Sequence, residues 1–195
     1  MANIDAAFGL RPIAKVGSAP GGTTGTTKYS IADNQGTAIF TGDPVKFKND
    51  GTVEAGTAGD PSCGVFMGCF YTDPSTSKPT FRNFFPASLS PGDAIAFVAD
   101  DPDQLFIIQQ DSVANNIVAA DLNLNADFVA GAGSTTTGMS KYEVDSSSKN
   151  TTATLNLKVL DFYSAPSNDT TANNSVLVVK INNHQLGSHT GTTGV

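Results

Sequence analysis

The sequence predicts an all-β fold, an antiparallel β-sandwich or β-barrel with little helix, and three observations carry that prediction. Charged residues make up only 15% of the chain, against roughly a quarter in an ordinary globular protein. Polarity comes instead from Thr, Ser, Asn and Gly, which suit strand surfaces and turns better than helix surfaces. Short runs alternate apolar and polar side chains with a period of two. Finally, Asp-Pro recurs at Asp43-Pro44, Asp60-Pro61, Asp73-Pro74 and Asp101-Pro102, and each pair starts a turn and biases its Asp away from helix. Such spacing of turns without a long helical pattern indicates a sandwich or barrel.

At 195 residues, the chain is long enough for one sizeable β domain or two small lobes. Three parts are expected. Residues 1–24 read as an extended N-terminal arm, because Ile4, Phe8 and Leu10 are isolated apolar residues without a period and Gly17-Ser18-Ala19-Pro20-Gly21-Gly22 gives a flexible base. Phe8 and Leu10 must then dock on the body or on a neighbour. Residues 25–185 form the β-rich body, a single domain or two lobes, and residues 186–195 a flexible or docking tail.

Within the body, Val45-Lys46-Phe47-Lys48 and Thr52-Val53-Glu54-Ala55 flank Asn49-Asp50-Gly51 and predict a hairpin. A buried strand is expected over residues 64–71, where glycine alternates with phenylalanine at Gly64, Phe66, Gly68 and Phe70, so that another backbone approaches closely there. Residues 94–99 and 105–109 are two more strands, joined by the Asp100-Asp101-Pro102-Asp103 turn. Leu122, Leu124, Ala126 and Phe128 alternate with Asp121, Asn123, Asn125 and Asp127, which predicts one half-buried strand with a wet face. Leu155, Leu157 and Val159 repeat that logic against Thr154, Asn156 and Lys158, and Val176-Leu177-Val178-Val179 reads as a central strand. One or two helical turns are expected over residues 112–119, and residues 146–152 and 164–174 are expected as polar loops at exposed tips.

The net charge of −7 with eleven scattered basic residues argues against nucleic acid and anionic membranes as partners, since both need clustered Lys and Arg. Residues 1–20 lack an apolar signal-peptide core, and no run approaches the roughly 18 apolar residues of a membrane span. Cys63 and Cys69 read as buried free thiols, about 20 Å apart on one strand. No cofactor or metal is expected: two Cys and two His lie far apart without Cys-x-x-Cys or His-Glu-x-x-His spacing. The Asp100, Asp101 and Asp103 cluster reads as a solvated turn rather than a calcium loop. His184 and His189 lack a nucleophile elbow and read as surface or subunit-contact residues, with His184, close behind a strand, the better candidate for a specific contact. The chain is not expected to be an enzyme.

Motif order adds a further expectation. The opening Ala2-Asn3-Ile4-Asp5-Ala6-Ala7-Phe8-Gly9-Leu10-Arg11-Pro12 is followed by Gly42-Asp43-Pro44-Val45, Gly64-Val65-Phe66 with Gly68-Cys69 and Tyr71, Asp100-Asp101-Pro102, a Gly-rich turn near Gly131, and Ile181-Asn182-Asn183-His184 before a Gly/Thr tail. In that order, over almost the whole chain, the sequence resembles structural proteins of tailed bacteriophages of the marine or cyanobacterial type. The resemblance implies a capsid decoration (cement) protein or allied head protein, β-rich, often trimeric, located on the outer capsid surface and made in the host cytoplasm. Its partners would be the major capsid protein and itself, and no catalytic residue carries over. Ile4, Phe8, Leu10, Arg11 and His184 are the expected protein-contact residues. The alternative is a fibre or spike module binding a host-surface glycan or protein.

Overall fold

A computed structural model describes residues 3–17, 25–113, 115–187 and 190–194 of the chain. Its strands in chain order are β1 (Arg11–Lys15), β2 (Thr27–Ser30), β3 (Ile39–Phe40), β4 (Pro44–Phe47), β5 (Val53–Ala55), β6 (Gly64–Thr72), β7 (Pro79–Arg82) and β8 (Phe84–Phe85). They continue with β9 (Ile95–Ala99), β10 (Gln104–Gln109), β11 (Asn125–Ala126), β12 (Phe128–Val129), β13 (Glu143–Val144), β14 (Leu157–Phe162) and β15 (Val176–Ile181). The fold is all-β and sandwich-like, with antiparallel strand pairing throughout. A five-stranded sheet runs β1-β10-β15-β14-β11, and a six-stranded sheet runs β2-β9-β6-β4-β5 with β7 added to β6. Two small pairs, β3-β8 and β12-β13, complete it. Among the described residues no helix is long and apolar enough to cross a membrane.

Each large sheet has its own cluster of buried side chains. On the five-stranded sheet, the cross-strand pairs Phe106↔Val179, Ile108↔Leu177 and Leu157↔Ile181 point to one face and pack with Phe128, Tyr142 and Val144. The six-stranded sheet packs Val45, Val53, Phe66, Tyr71, Ala96 and Val98 against Ile39 and Phe85. β6 serves both clusters: Val65 joins the first and Phe66 the second, and a bulge between Phe66 and Gly68 shifts the register so that Cys69 and Tyr71 also join the second. The simple alternation read from the sequence therefore breaks in mid-strand, as a bulge demands. Both cysteines are free and buried in that second cluster.

Prolines fall where a missing N–H is tolerated. Pro44 and Pro79 open their strands, and Pro12 lies in β1, an outer strand of the five-stranded sheet. The predicted hairpin forms with Lys46↔Glu54 pairing, and Gly51 takes the positive φ (82°) that its turn needs. β15 is the third of five strands, as its apolar run implies.

Several expectations need correction. Residues 10–15 are not a separate arm: β1 pairs with β10, and Leu10 is 1% exposed inside the first core cluster. The open backbone edge of β10 supplies hydrogen bonds that an isolated segment lacks, so the chain docks. The proposed flexible base at residues 17–22 lies, apart from Gly17, outside the described residues. The single strand expected across residues 122–128 is two, β11 and β12, in different sheets, with Asn123 at a left-handed φ of 70° ahead of them. Asn125 and Asn156, expected on wet faces, are fully buried. Asn125 Nδ2 donates to Thr152 O (3.0 Å) and Thr192 O (2.6 Å), while Asn156 Nδ2 donates to Asp60 O (2.6 Å). Residues 146–152 are a polar loop with Ser147 and residues 150–152 exposed, as expected, but Ser146–Ser148 is a 3-10 turn, and Ser146 is buried with its hydroxyl on Asp111 (2.6 Å). The short helix expected before residue 119 is a 3-10 turn at Ala119–Asp121.

The turn at residues 100–103 leads from β9 in one sheet to β10 in the other. Each of its acids has a partner, although Asp103 stays mostly exposed. Asp100 accepts from Thr27 Oγ1 (3.0 Å) and Tyr29 OH (2.6 Å) on the six-stranded sheet. Asp101 pairs with Lys15 (2.5 Å) and Asp103 with Lys180 (2.8 Å) on the five-stranded sheet. Lys15 is the chief cause holding the Asp101 carboxyl below its ordinary range.

Candidate interaction surfaces

Three of the five expected contact residues, Ile4, Phe8 and Arg11, line one groove of about 340 Å³. The opposite wall comes from β10, through Ile107 and Gln109, and from the β14–β15 connection, through Tyr163 and Asn174. Gln109 builds this wall. It is a buried amide at the end of an apolar strand, and its Oε1 accepts from Ala6 N (2.9 Å) while its Nε2 donates to Ile4 O (2.8 Å) and Asn174 O (2.8 Å). One side chain thus stands in for a strand neighbour and holds residues 4–6 in extended form.

Asn168 closes the β14–β15 connection, donating to Tyr163 O (2.8 Å) and Val176 O (2.9 Å) and accepting from Val176 N (2.9 Å). Arg11 lies 4.5 Å above the Phe8 ring, a cation–π distance that keeps its charge at the groove. Ile4 is 80% exposed. Asn174 Oδ1 is buried without a hydrogen-bond partner among the described residues. An apolar wall and one cation suit an extended peptide segment.

Leu10 and His184 are elsewhere. Leu10 is in the core, and His184, expected at the surface, is 2% exposed. The cause is the extension of β15. Ser62 N donates to Asn183 O (3.0 Å), Gln185 N donates to Ser62 O (2.9 Å), and Phe47 N donates to Gln185 Oε1 (2.7 Å). Asn182 Nδ2 donates to Ala153 O (2.8 Å) and its Oδ1 accepts from Thr192 N (2.8 Å). The Asn-Asn-His-Gln motif is therefore an internal fastening between the two sheets and the tail. His189 lies outside the described residues.

A second surface was not foreseen as a contact. On the outer face of the six-stranded sheet, Phe70 and Phe81 are cross-strand partners and the Phe81 and Phe97 rings lie 5.9 Å apart. Lys28 Nζ stands 5.9 Å from the Phe97 ring, and Phe81 is 60% exposed. Two glycines of β6 shape this face, although the bulge sends Phe66 into the core and Phe70 to the surface. A Cβ at Gly68 would stand 2.9 Å from Phe81 Cζ, so the glycine makes room for a ring; at Gly64 it would strike the Ala99 carbonyl, the close backbone approach expected from sequence. The glycines were the legible signal, whereas nothing in the sequence marked Gln109 beyond an amide in an apolar strand.

Among the described residues no group of three or more His, Cys, Asp or Glu side chains is placed to hold a metal ion. Comparison of the chain with protein-family models, with curated proteins and with solved structures finds no match.

Proposed function

We propose that this chain is a virion structural protein that binds the outer surface of a phage capsid and stabilises contacts between major capsid subunits, working as a homotrimer. The observation that carries this reading is the pair of separate apolar surfaces on different sheets: the groove at Ile4, Phe8 and Arg11, and the Phe70, Phe81 and Phe97 face. Contiguous exposed apolar area marks contact with other molecules. A chain with two such surfaces can touch two neighbours at once, and linked modest contacts reach high avidity. The ordered motif resemblance supplies the identity of those neighbours.

The test is co-sedimentation with empty, expanded capsids of the parent phage, with mass measured by light scattering. Stoichiometric binding of a trimer is expected. Protein left in the supernatant would sink the reading.

One observation favours the second reading, a fibre or spike module: sugar rings stack on exposed aromatic faces, and Phe81 presents one. Glycan-array hits abolished by Phe81→Ser, together with no capsid binding, are the outcome that would establish it.

A further inference from the structure

A third concavity, of about 400 Å³, is separate from both surfaces. Residues 36–40 form one side and residues 130–133 the other, and among its lining residues Phe40, Asp43 and Tyr142 are buried. The remaining walls are small, with Ala38, Ala55 and Ala132 among them, and no Lys or Arg lines it.

Asp43 is its one carboxylate, and it is 3% exposed. Local backbone fixes its orientation. Phe40-Thr41-Gly42-Asp43 is a tight turn in which Asp43 N donates to Phe40 O (2.9 Å) and Phe40 N donates back to Asp43 Oδ2 (2.8 Å). Gly42, at φ 98°, permits the turn. The second oxygen, Oδ1, is buried without a hydrogen-bond partner among the described residues. The Ser140 hydroxyl favours the charged form of the carboxylate but falls outside hydrogen-bonding geometry for that oxygen. A buried carboxylate with an unused oxygen is costly unless a cation or donor reaches it.

We propose that this pocket binds a primary ammonium group, the end of a lysine side chain from a protein partner. Three features select it. The free acceptor is a single oxygen, because Oδ2 is committed to the Phe40 amide; a guanidinium fork seeks two oxygens, whereas an ammonium is a point charge satisfied by one. Small apolar walls accommodate an alkyl stem that carries its charge at the tip. Phe40 and Tyr142 add aromatic carbon to the lining. This site stands apart from the capsid reading and does not depend on it.

The experiment is a titration of the full chain, carrying labelled alanine methyl groups, with Nα-acetyl-lysine N-methylamide. The equivalent blocked norleucine, which keeps the stem without the ammonium, serves as control. Saturable shifts at Ala38, Ala55 and Ala132 with the lysine compound alone are expected. Asp43→Asn should weaken that binding by about ten-fold or more. Should Asp43→Asn not fold, Ala132→Leu, at an exposed rim position, fills the pocket and is expected to abolish the shifts. Absence of saturable shifts, equal shifts with norleucine, or an unchanged titration in Ala132→Leu would overturn the proposal.

Discussion

Asn3 and Asp169 pair as two strand residues would. Asn3 Nδ2 donates to Asp169 O at 2.8 Å, and Asp169 N donates to Asn3 Oδ1 at 2.8 Å. Together with Gln109, this side-chain ladder seats residues 3–6 on the body, so the first part of the chain is ordered by amides and not by apolar burial. Replacing Gln109 by Ala removes three hydrogen bonds at once. The Ala6 amide is then expected to exchange with solvent at least about ten-fold faster, with the amides of β14 unchanged. Equal exchange at Ala6 in both proteins would show that the ladder does not hold the segment.

Burial raises the Asp43 carboxyl from 3.8 to about 6. Glu143 is pushed up to about 7, by burial first and then by Asp5 and Asp111. Between the unfolded and folded values the native state binds protons that the unfolded state does not. Stability therefore rises as pH falls from about 7 toward 4, and for Asp43 the shift corresponds to ~3 kcal/mol of destabilisation fully present above pH 6. Below that range the hydroxyl-bonded carboxylates of Asp50, Asp73, Asp93 and Asp169, all lowered, reverse the trend. Thermal melts are expected to peak near pH 5, and Asp43→Asn to flatten the alkaline slope. A melting temperature that climbs from pH 5 to pH 7.5 would contradict this.

Gly68 has φ 139°, and a Cβ there would also stand 3.2 Å from Arg82 O. Because that second neighbour is backbone, Gly68→Ala is expected to cost about 1–3 kcal/mol in a denaturant titration. The variant should also displace the Phe81 ring. A neutral substitution would mean that β7 moves freely from β6.

Phe81→Ser tests the outer face without touching either core. Stability is expected to change by less than about 1 kcal/mol, because the ring is mostly in solvent. Binding to capsids, or self-association measured by light scattering, is expected to fall. Unchanged assembly would remove this face from the contact set.

Asn125→Ala leaves the Thr152 and Thr192 carbonyls without their shared donor. A loss of about 2 kcal/mol is expected, with faster proteolysis within residues 190–194. Protection of that segment as strong as in the unsubstituted chain would show that Asn182, Lys158 and the Gly194 N–Thr151 O bond suffice to anchor it.

The fold class was legible in the sequence because the turn chemistry is local. Asn49-Asp50-Gly51 specifies its hairpin without help from the rest of the chain, and Val176-Leu177-Val178-Val179 is too apolar for an edge. Period-two logic failed where asparagine was taken for a surface residue. Asn125 and Asn156 point inward because loop carbonyls there need donors that no strand supplies. Leu10 was misplaced for the complementary reason: one leucine makes no periodic pattern, yet it completes a core built from residues a hundred positions away. Of the groove, Ile4, Phe8 and Arg11 were visible as apolar and cationic residues in an unpatterned segment. Gln109 and Asn174 were not, because their role depends on who sits opposite.

The turn at residues 100–103 has a mechanical consequence. With Asp100 fastened to one sheet and Asp101 and Asp103 to the other, it behaves as a rivet between two plates. Shear between the plates is resisted at this rim by two ion pairs, whose strength depends on ionic strength, and by the uncharged hydroxyls on Asp100, beside the Asn183–Ser62 link and the strand β6 that serves both clusters. Under load the molecule should deform as one stiff body, and concentrated salt should loosen the two rim pairs without freeing the plates.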